Sequence, residues 1–138
     1  MFTREVYTNS KGENFSYLTH GNQAAENLIF FFHATGFNGQ TYWQLIKGLD
    51  SLFKEEINFI SLDQRGHGHT KAKAIPEELN SWSPFIEDAL EIVDKMDGPI
   101  FCAGHSMGAI VAAKIAKLRE EKVKKLVMLE PVLYSPYE

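Results

Sequence analysis

The sequence predicts an α/β domain in which a mostly parallel β-sheet lies between two layers of helices. From residue 28 onward, apolar runs of strand length alternate with segments of helical periodicity, and such crossover connections place helices on both faces of a parallel sheet. The run at 28–33 is apolar almost throughout, as expected of a strand covered on both faces. The chain has 138 residues, 44% hydrophobic and 23% charged, which is typical of one globular domain.

The first half of the chain predicts four strands and one helix. Residues 2–7 and 15–19 have strand composition on either side of an Asn-Ser-Lys-Gly turn, and His20 is expected in a surface turn. The third strand is 28–33. Apolar residues at helical spacing predict a helix at 41–52, and the next apolar run, up to Asp63, is the fourth strand.

The second half continues the alternation of helix and strand. Ser83 is predicted to cap a helix with Pro84 in its first turn. The buried stripe of that helix consists of Ile86, Ala89, Leu90, Val93 and Met96. A Gly-Pro pair ends the helix, the fifth strand follows at 100–105, and an Ala-rich helix comes directly after it. The last apolar run, 123–132, is the sixth strand.

Composition and charge exclude several classes of protein. The longest apolar run is far too short to span a bilayer, no signal peptide is visible, and the net charge is −4. Lysines between 114 and 125 alternate with glutamates, which is typical of a solvated helix end and not of a nucleic-acid surface. The lone Cys102 lies in an apolar strand and fits a reducing cytoplasm. We therefore expect a cytoplasmic domain without membrane span, nucleic-acid partner, metal or cofactor.

The segment Gly-His-Ser-Met-Gly at 104–108 carries the clearest chemical signal. A serine on a sharp strand-to-helix turn is held away from its own backbone, and the following helix directs N–H groups and positive dipole toward an oxyanion formed there. Ser106 is therefore a candidate nucleophile. Gly104 and Gly108 stand where a side chain would collide with the neighbouring strand and helix. A glycine-flanked serine is commonly only a turn residue, but the strand–turn–helix context favours the nucleophile.

Polar residues follow the parallel strands at their carboxyl ends. In open α/β sheets, ligands bind beyond these ends. We therefore expect four side chains on one rim of the sheet: His33, Asp63, Ser106 and Glu130.

Three motifs, in order, resemble the α/β-hydrolase family. They are His-Ala-Thr-Gly-Phe at 33–37, Leu-Asp-Gln-Arg-Gly-His-Gly-His-Thr at 62–70 and the serine segment at 104–108. The resemblance covers the chain from about residue 2 to residue 131. It implies a three-layer αβα fold and an acyl-transfer hydrolase.

The resemblance also implies roles for individual residues. Ser106 would attack an acyl carbon, and the backbone N–H groups of Met107 and Thr35 would hold the oxyanion. Relatives that open epoxides or displace halide have Asp at the position of Ser106, because they attack an alkyl carbon. A serine favours a small-molecule acyl substrate, which is an ester, thioester, lactone or amide.

The remaining polar residues of the motifs are expected to be structural. His33 is expected to pack in the interior and to hydrogen-bond its loop. Asp63 and Arg65 are expected to hold the turn after the fourth strand. His67 lies in the same turn and does not match the position of the family's base. Glu130 follows the sixth strand, where some family members have the triad acid. It is either that acid or a strand-end carboxylate bonded to a loop.

The family's catalytic histidine has no counterpart here. The triad order in the family is Ser, acid, His, whereas all five histidines of this chain precede Ser106: residues 20, 33, 67, 69 and 105. We expect residues 1–138 to be a single truncated domain that lacks the C-terminal strands and the lid. Since losing the base costs about a million-fold in turnover, the isolated chain is expected to be weak or inactive.

Two hypotheses follow from this departure. The chain is either the N-terminal portion of a serine hydrolase or a non-catalytic binding or scaffold remnant of the same fold. Under both hypotheses the sixth strand is an open apolar edge at 126–129. We expect this edge to form a homo-oligomer or to pair with a complementing chain.

Overall fold

A six-stranded mixed sheet forms the centre of the protein. The structure is a computed structural model that describes residues 2–54 and 56–133. Its strands are β1 (Thr3–Thr8), β2 (Asn14–Gly21), β3 (Asn27–Phe32), β4 (Ile57–Leu62), β5 (Ile100–His105) and β6 (Val123–Leu129). Their order in the sheet is β1-β2-β4-β3-β5-β6. The pairs β1–β2 and β2–β4 are antiparallel, and β4, β3, β5 and β6 run parallel.

Helices follow the parallel strands, as the alternating pattern predicts. They are α1 (Trp43–Phe53), α2 (Ser83–Asp94) and α3 (Met107–Leu118). A short 3-10 helix, Gly39–Tyr42, precedes α1 and is capped by the Asn38 side chain. A second one, Pro76–Glu78, precedes α2. The strand–helix–strand connections therefore build the four-stranded parallel part of the sheet.

The apolar run of β3 divides between two hydrophobic cores. Phe30 and Phe32 belong to the larger core, together with residues of α2 and α3. Phe31 belongs to the smaller core on the other face, where Ile46 of α1 packs. Successive side chains of a strand point to opposite faces, so a strand covered on both sides must be apolar throughout. The prediction of a sheet between two helical layers is confirmed.

The start of α2 differs from the prediction by one residue. Trp82 occupies the N-cap position and makes no side-chain capping bond, so the assignment of Ser83 as the cap is wrong. Ser83 is the first helical residue, and its N–H donates to Ser81 Oγ at 3.2 Å. Pro84 lies in the first turn, where its missing N–H costs no hydrogen bond.

His20 does not lie in a surface turn. The strand β2 continues to Gly21 because its end pairs with β4, with Gly21 opposite Asn58. His20 is therefore a strand residue with 8% exposure, and its Nε2 lies 2.8 Å from Asp50 Oδ2. The prediction failed because a pairing across 37 positions in the sequence, between Gly21 and Asn58, decided where the strand ends.

The strand β6 forms one edge of the sheet within the part of the chain that is described. It ends at Leu129, so the last three residues of the predicted 123–132 strand are not part of it. Four consecutive apolar residues along it are exposed: Leu126, Val127, Met128 and Leu129. Over the described residues, no helix has the length and hydropathy needed to cross a membrane.

Candidate active site

Ser106 alone joins β5 to α3. Its backbone has φ 54° and ψ −116°, a conformation that costs a residue with a side chain about 1–3 kcal/mol. The Ser106 N–H donates to the Leu129 carbonyl at 3.0 Å, and the Ser106 carbonyl accepts from Ala109 N at 3.0 Å. The main chain on both sides of the serine is thereby held. No hydrogen-bond partner of Ser106 Oγ is found among residues 2–54 and 56–133, so the hydroxyl is available to an external ligand.

The two glycines of the motif let three backbones come together at this turn. A Cβ on Gly108 would lie 2.5 Å from the His33 carbonyl oxygen and closer still to that of Phe32. A Cβ on Gly104 would lie 2.6 Å from Ala109 N and closer still to the Gly108 carbonyl. Neither site has room for a side chain, as the sequence predicts. The start of α3 therefore packs directly against the end of β3.

The loop after β3 leaves the sheet beside the serine turn. Phe32 of β3 is paired with Gly104 of β5, so the residues that follow both positions emerge side by side. Residues 34–37 form a β-turn in which Phe37 N donates to the Ala34 carbonyl at 3.1 Å. The φ of 81° at Gly36 is that of the third position of a type II turn. Thr35 occupies the second position and is exposed.

His33 joins this loop to the loop after β4. Its Nδ1–H donates to the Ala34 carbonyl at 2.8 Å, and its Nε2 accepts from Gln64 N at 2.9 Å. Burial lowers the pKa of the imidazole to about 4, so His33 is neutral at physiological pH. Both ring nitrogens are occupied, and this histidine cannot accept a proton from Ser106.

Asp63 gathers three backbone and side-chain donors around the end of β4. The carboxylate is 1% exposed and accepts from Gly39 N at 2.8 Å, Arg4 Nη1 at 3.0 Å and His69 N at 2.9 Å. A Cβ on Gly68 would overlap this carboxylate, so the turn follows it closely. Asp63 thus ties the loop after β4 to β1 and to the segment before α1.

Arg65 ties the same loop to the turn before β2 and to α2. Its guanidinium donates two hydrogen bonds to Glu13 at 2.8 Å and two to Asp88 at 2.9 Å. The Arg65 hydrogen bonds lower the pKa of the Glu13 carboxyl to about 2. A groove of about 990 Å³ lies at this end of the molecule, where Arg65 and Asp88 line it and Ser106 does not.

Two other histidines are also engaged with backbone or with tyrosine. His67 Nδ1–H donates to the Arg65 carbonyl at 2.9 Å, and His67 Nε2 accepts from Gly36 N at 3.0 Å. His105 Nδ1 is hydrogen-bonded to the Tyr42 hydroxyl at 2.8 Å. The His69 side chain is 67% exposed. The structure therefore brings the serine and the loop of Thr35 together without a histidine on the serine hydroxyl.

Glu130 lies directly beside the serine turn. It follows Leu129, whose carbonyl accepts the Ser106 N–H, and it is exposed with a φ of 45°. Its carboxylate makes no hydrogen bond within the described part of the chain. The alternative in which Glu130 is a strand-end carboxylate bonded to a loop is therefore not seen among those residues. A triad role for Glu130 remains a prediction.

Tyr42 is the site residue whose polar role sequence reasoning missed. The sequence analysis placed residue 42 within the apolar helix predicted at 41–52 and gave it no hydrogen-bonding role. Its hydroxyl accepts from Ala34 N at 3.0 Å and is hydrogen-bonded to His105 Nδ1, and burial raises the phenol pKa. The bridge depends on the contact between Tyr42 and His105, which are 63 positions apart, and no sequence pattern indicates it. No group of three or more potential metal ligands occurs over the described residues.

Comparisons with known proteins identify relatives among the hydrolases. A model of the family described as "Serine aminopeptidase, S33" matches residues 23–137. The (E)-2-((N-methylformamido)methylene)succinate hydrolase of Acinetobacter baylyi is 29% identical over 105 residues, 75% of this chain and 37% of that protein. Mouse monoglyceride lipase is 30% identical over 116 residues, 78% of this chain and 36% of the lipase. The chain thus spans a little over a third of the length of these curated relatives.

Solved structures show the same fold. The thioesterase domain from the curacin biosynthetic pathway superposes with a TM-score of 0.85 at 20% identity, covering 98% of this chain and 48% of that domain. An epoxide hydrolase from Vigna radiata superposes with a TM-score of 0.81 at 22% identity, covering 99% of this chain and 42% of the enzyme. The predicted α/β-hydrolase fold is confirmed.

Proposed function

Because the chain belongs to the serine aminopeptidase S33 family of α/β-hydrolases, we propose that it acts on an ester, thioester or related acyl substrate through Ser106. The observation that carries this proposal is the positive φ of Ser106 between β5 and α3. A strained serine at a strand-to-helix turn presents its hydroxyl at the rim of the sheet. The family membership establishes hydrolase ancestry, and the serine chemistry is our inference from the site.

Two main-chain donors support the acyl reaction. Met107 is the first residue of α3, and the first N–H groups of a helix have no intrahelical acceptor. Thr35 N makes no hydrogen bond to an acceptor in the described residues. When Ser106 Oγ attacks an acyl carbon, the carbonyl π electrons move to the oxygen, and these two N–H groups would hold the resulting oxyanion. One such donor contributes about 3 kcal/mol to transition-state stabilisation.

The proton of Ser106 requires a base, and within residues 2–54 and 56–133 no base is hydrogen-bonded to Ser106 Oγ. His33, His67 and His105 are each hydrogen-bonded to other groups. We propose that the triad histidine comes from polypeptide beyond these 138 residues, since the chain spans 36–37% of its curated relatives. Glu130 beside the turn is the proposed acid partner of that histidine. Without the base, only the contribution of oxyanion hole and binding remains, about 10³–10⁴ over water.

The nucleophile type separates this proposal from the chemistry of one structural neighbour. An epoxide hydrolase shares the fold at 22% identity, which is evidence for the fold alone. Opening an epoxide requires attack on an alkyl carbon, which suits a carboxylate, whereas a serine suits an acyl carbon that can form a tetrahedral intermediate. We therefore propose acyl chemistry and no resident metal or cofactor.

The location and assembly of the protein are further parts of the proposal. Burial raises the pKa of the Cys102 thiol to about 12, so this cysteine remains a buried, unreactive thiol. A lone buried cysteine is compatible with the cytoplasm, where we place the protein. The exposed apolar edge of β6 is proposed to pair with a second copy or with a complementing polypeptide.

The alternative is a binding or scaffold protein that has lost the chemistry. Such a protein would have no use for a free hydroxyl on a strained turn next to unpaired N–H groups. Labelling with a fluorophosphonate probe distinguishes the two, because the probe phosphonylates an activated serine and expels fluoride. The chain is treated with the probe alone and with added imidazole, which supplies the missing base from solution.

Three proteins are compared in this assay. The parent chain is expected to label faster in imidazole, and Ser106→Ala is expected to lose that labelling. Ser51→Ala removes an exposed serine of α1 and is expected to label like the parent. Equal labelling of the parent and Ser106→Ala in imidazole would contradict the proposal and favour the scaffold alternative.

A further inference from the structure

We propose that Tyr42 and His67 are positioning residues that together aim the Thr35 N–H at the oxyanion, an inference that rests on the proposed function. They reach the turn at residues 34–37 from two different segments. Tyr42 ends the 3-10 helix before α1, and His67 lies in the loop after β4. Each accepts one N–H of the turn, on either side of Thr35.

The hydrogen bonds of the turn are almost completely accounted for. Ala34 N donates to Tyr42 Oη at 3.0 Å, and Gly36 N donates to His67 Nε2 at 3.0 Å. Phe37 N donates to the Ala34 carbonyl, which also accepts the His33 Nδ1–H at 2.8 Å. Thr35 N is left without an acceptor in the described residues. A free N–H between two fixed neighbours has its direction set by them.

His67 is itself oriented by two contacts. Its Nδ1–H donates to the Arg65 carbonyl at 2.9 Å, which leaves the lone pair of Nε2 facing Gly36 N. The His67 ring meets the His33 ring edge-on, with the centroids 4.8 Å apart. The tautomer and the plane of the ring are both fixed, so the acceptor cannot turn away from the loop.

Tyr42 connects the turn with the nucleophile strand. Its hydroxyl accepts from Ala34 N and is also hydrogen-bonded to His105 Nδ1, 2.8 Å away. His105 is the residue directly before Ser106. One buried phenol therefore spans the Thr35 turn and the Ser106 turn. Tyr42 and His67 together fix the position of the turn at residues 34–37 relative to Ser106.

The test uses variants that remove single acceptors. Tyr42→Phe deletes the hydroxyl and keeps the ring, and His67→Ala deletes the imidazole. His67→Gln restores an amide oxygen near the Nε2 position and is the rescue variant. His69→Ala removes an exposed histidine of the same loop and is the matched control. Two quantities are measured on each protein: amide hydrogen exchange by NMR, and the rate of fluorophosphonate labelling in imidazole.

The inference predicts specific changes in both quantities. Exchange should speed up at Ala34 N in Tyr42→Phe and at Gly36 N in His67→Ala, by about 5-fold for the loss of one hydrogen bond. Labelling should slow by about 10–100-fold in both variants, because small misplacement of a transition-state donor has effects of that size. His67→Gln should recover most of the rate, and His69→Ala should match the parent.

Four results would overturn the inference. Unchanged exchange in Tyr42→Phe and His67→Ala would show that the side chains do not hold the turn. Faster exchange with unchanged labelling, or His67→Gln labelling as slowly as His67→Ala, would show that the turn's position does not matter to Ser106. If the parent labels no faster than Ser106→Ala, the proposed function itself has failed and the positioning role falls with it. The exchange data then still report separately whether the loop was held.

Discussion

Adding one methyl group at Gly108 should destabilise the protein, although Gly108 lies in a helix where alanine is normally the better residue. A Cβ there would lie 2.5 Å from the His33 carbonyl oxygen and closer to that of Phe32, well inside van der Waals contact. Both obstacles are backbone atoms at the end of β3, so no flexible side chain can move aside. The helix α3 must shift away from β3 to admit the methyl group.

The change in the free energy of unfolding on Gly108→Ala is the sum of two opposing contributions. Overpacking of this kind costs about 1–3 kcal/mol, and a main-chain obstacle argues for the upper end. Exchanging glycine for alanine inside a helix contributes up to about 1 kcal/mol in the other direction. The expected net loss for Gly108→Ala is therefore about 2 kcal/mol. Gly48 of α1 is the matched control, since a Cβ there has no heavy atom within 4 Å.

Urea denaturation followed by circular dichroism measures both variants. Gly48→Ala should be more stable than the parent by about 0.5–1 kcal/mol. Gly108→Ala should lower the midpoint by about 1 M, since the slope for a small protein is about 1–3 kcal/mol per molar urea. The same chemical change is thus predicted to have opposite signs at the two positions. A Gly108→Ala variant as stable as Gly48→Ala would refute the close approach of α3 to β3.

Three further predictions concern other contacts of the structure. In the folded chain His33 stays neutral down to a pKa of about 4, whereas in the unfolded chain the same residue is protonated below about pH 6.5. The free energy of unfolding should therefore fall by about 3 kcal/mol between pH 6.5 and pH 4, and denaturation curves of His33→Asn should lack that decrease. Arg65→Gln leaves Asp88 buried without its ion pair and should cost about 3 kcal/mol in urea denaturation, and an unchanged midpoint would contradict the contact. Val127→Lys puts a charge on the open edge of β6 and should shift sedimentation toward the monomer, whereas a parent already monomeric at high concentration would refute pairing through that edge.

Much of the fold could be predicted because local patterns and sheet geometry agree. The run Phe30, Phe31 and Phe32 is apolar since its alternate side chains enter two different cores. The serine turn was predictable because Gly104 and Gly108 lie where the main chains of β3, β5 and α3 come together and leave no room for a side chain. These signals are local, and they indicate the same architecture.

The misses arose where distant segments decide the outcome. His20 remains in β2 because β4 pairs with the end of that strand. Tyr42 became a polar bridge because the 3-10 helix before α1 places its hydroxyl between Ala34 and His105, which are 71 positions apart. The predicted N-cap of α2, Ser83, lies one residue after the observed one, because sequence signals at helix ends locate a boundary only to within one or two residues. Propensity and spacing contain no information on such contacts.

The proposed reaction is an attack by Ser106 on an electrophile whose oxygen turns toward Thr35 and Met107. A crystal structure of the protein after reaction with a fluorophosphonate in imidazole is the decisive measurement, because the phosphonyl oxygen marks the position of the oxyanion. We predict phosphorus bonded to Ser106 Oγ, with its oxygen about 3 Å from both backbone nitrogens. Phosphorus on another residue, or an oxygen pointing into solvent away from both N–H groups, would contradict the assignment.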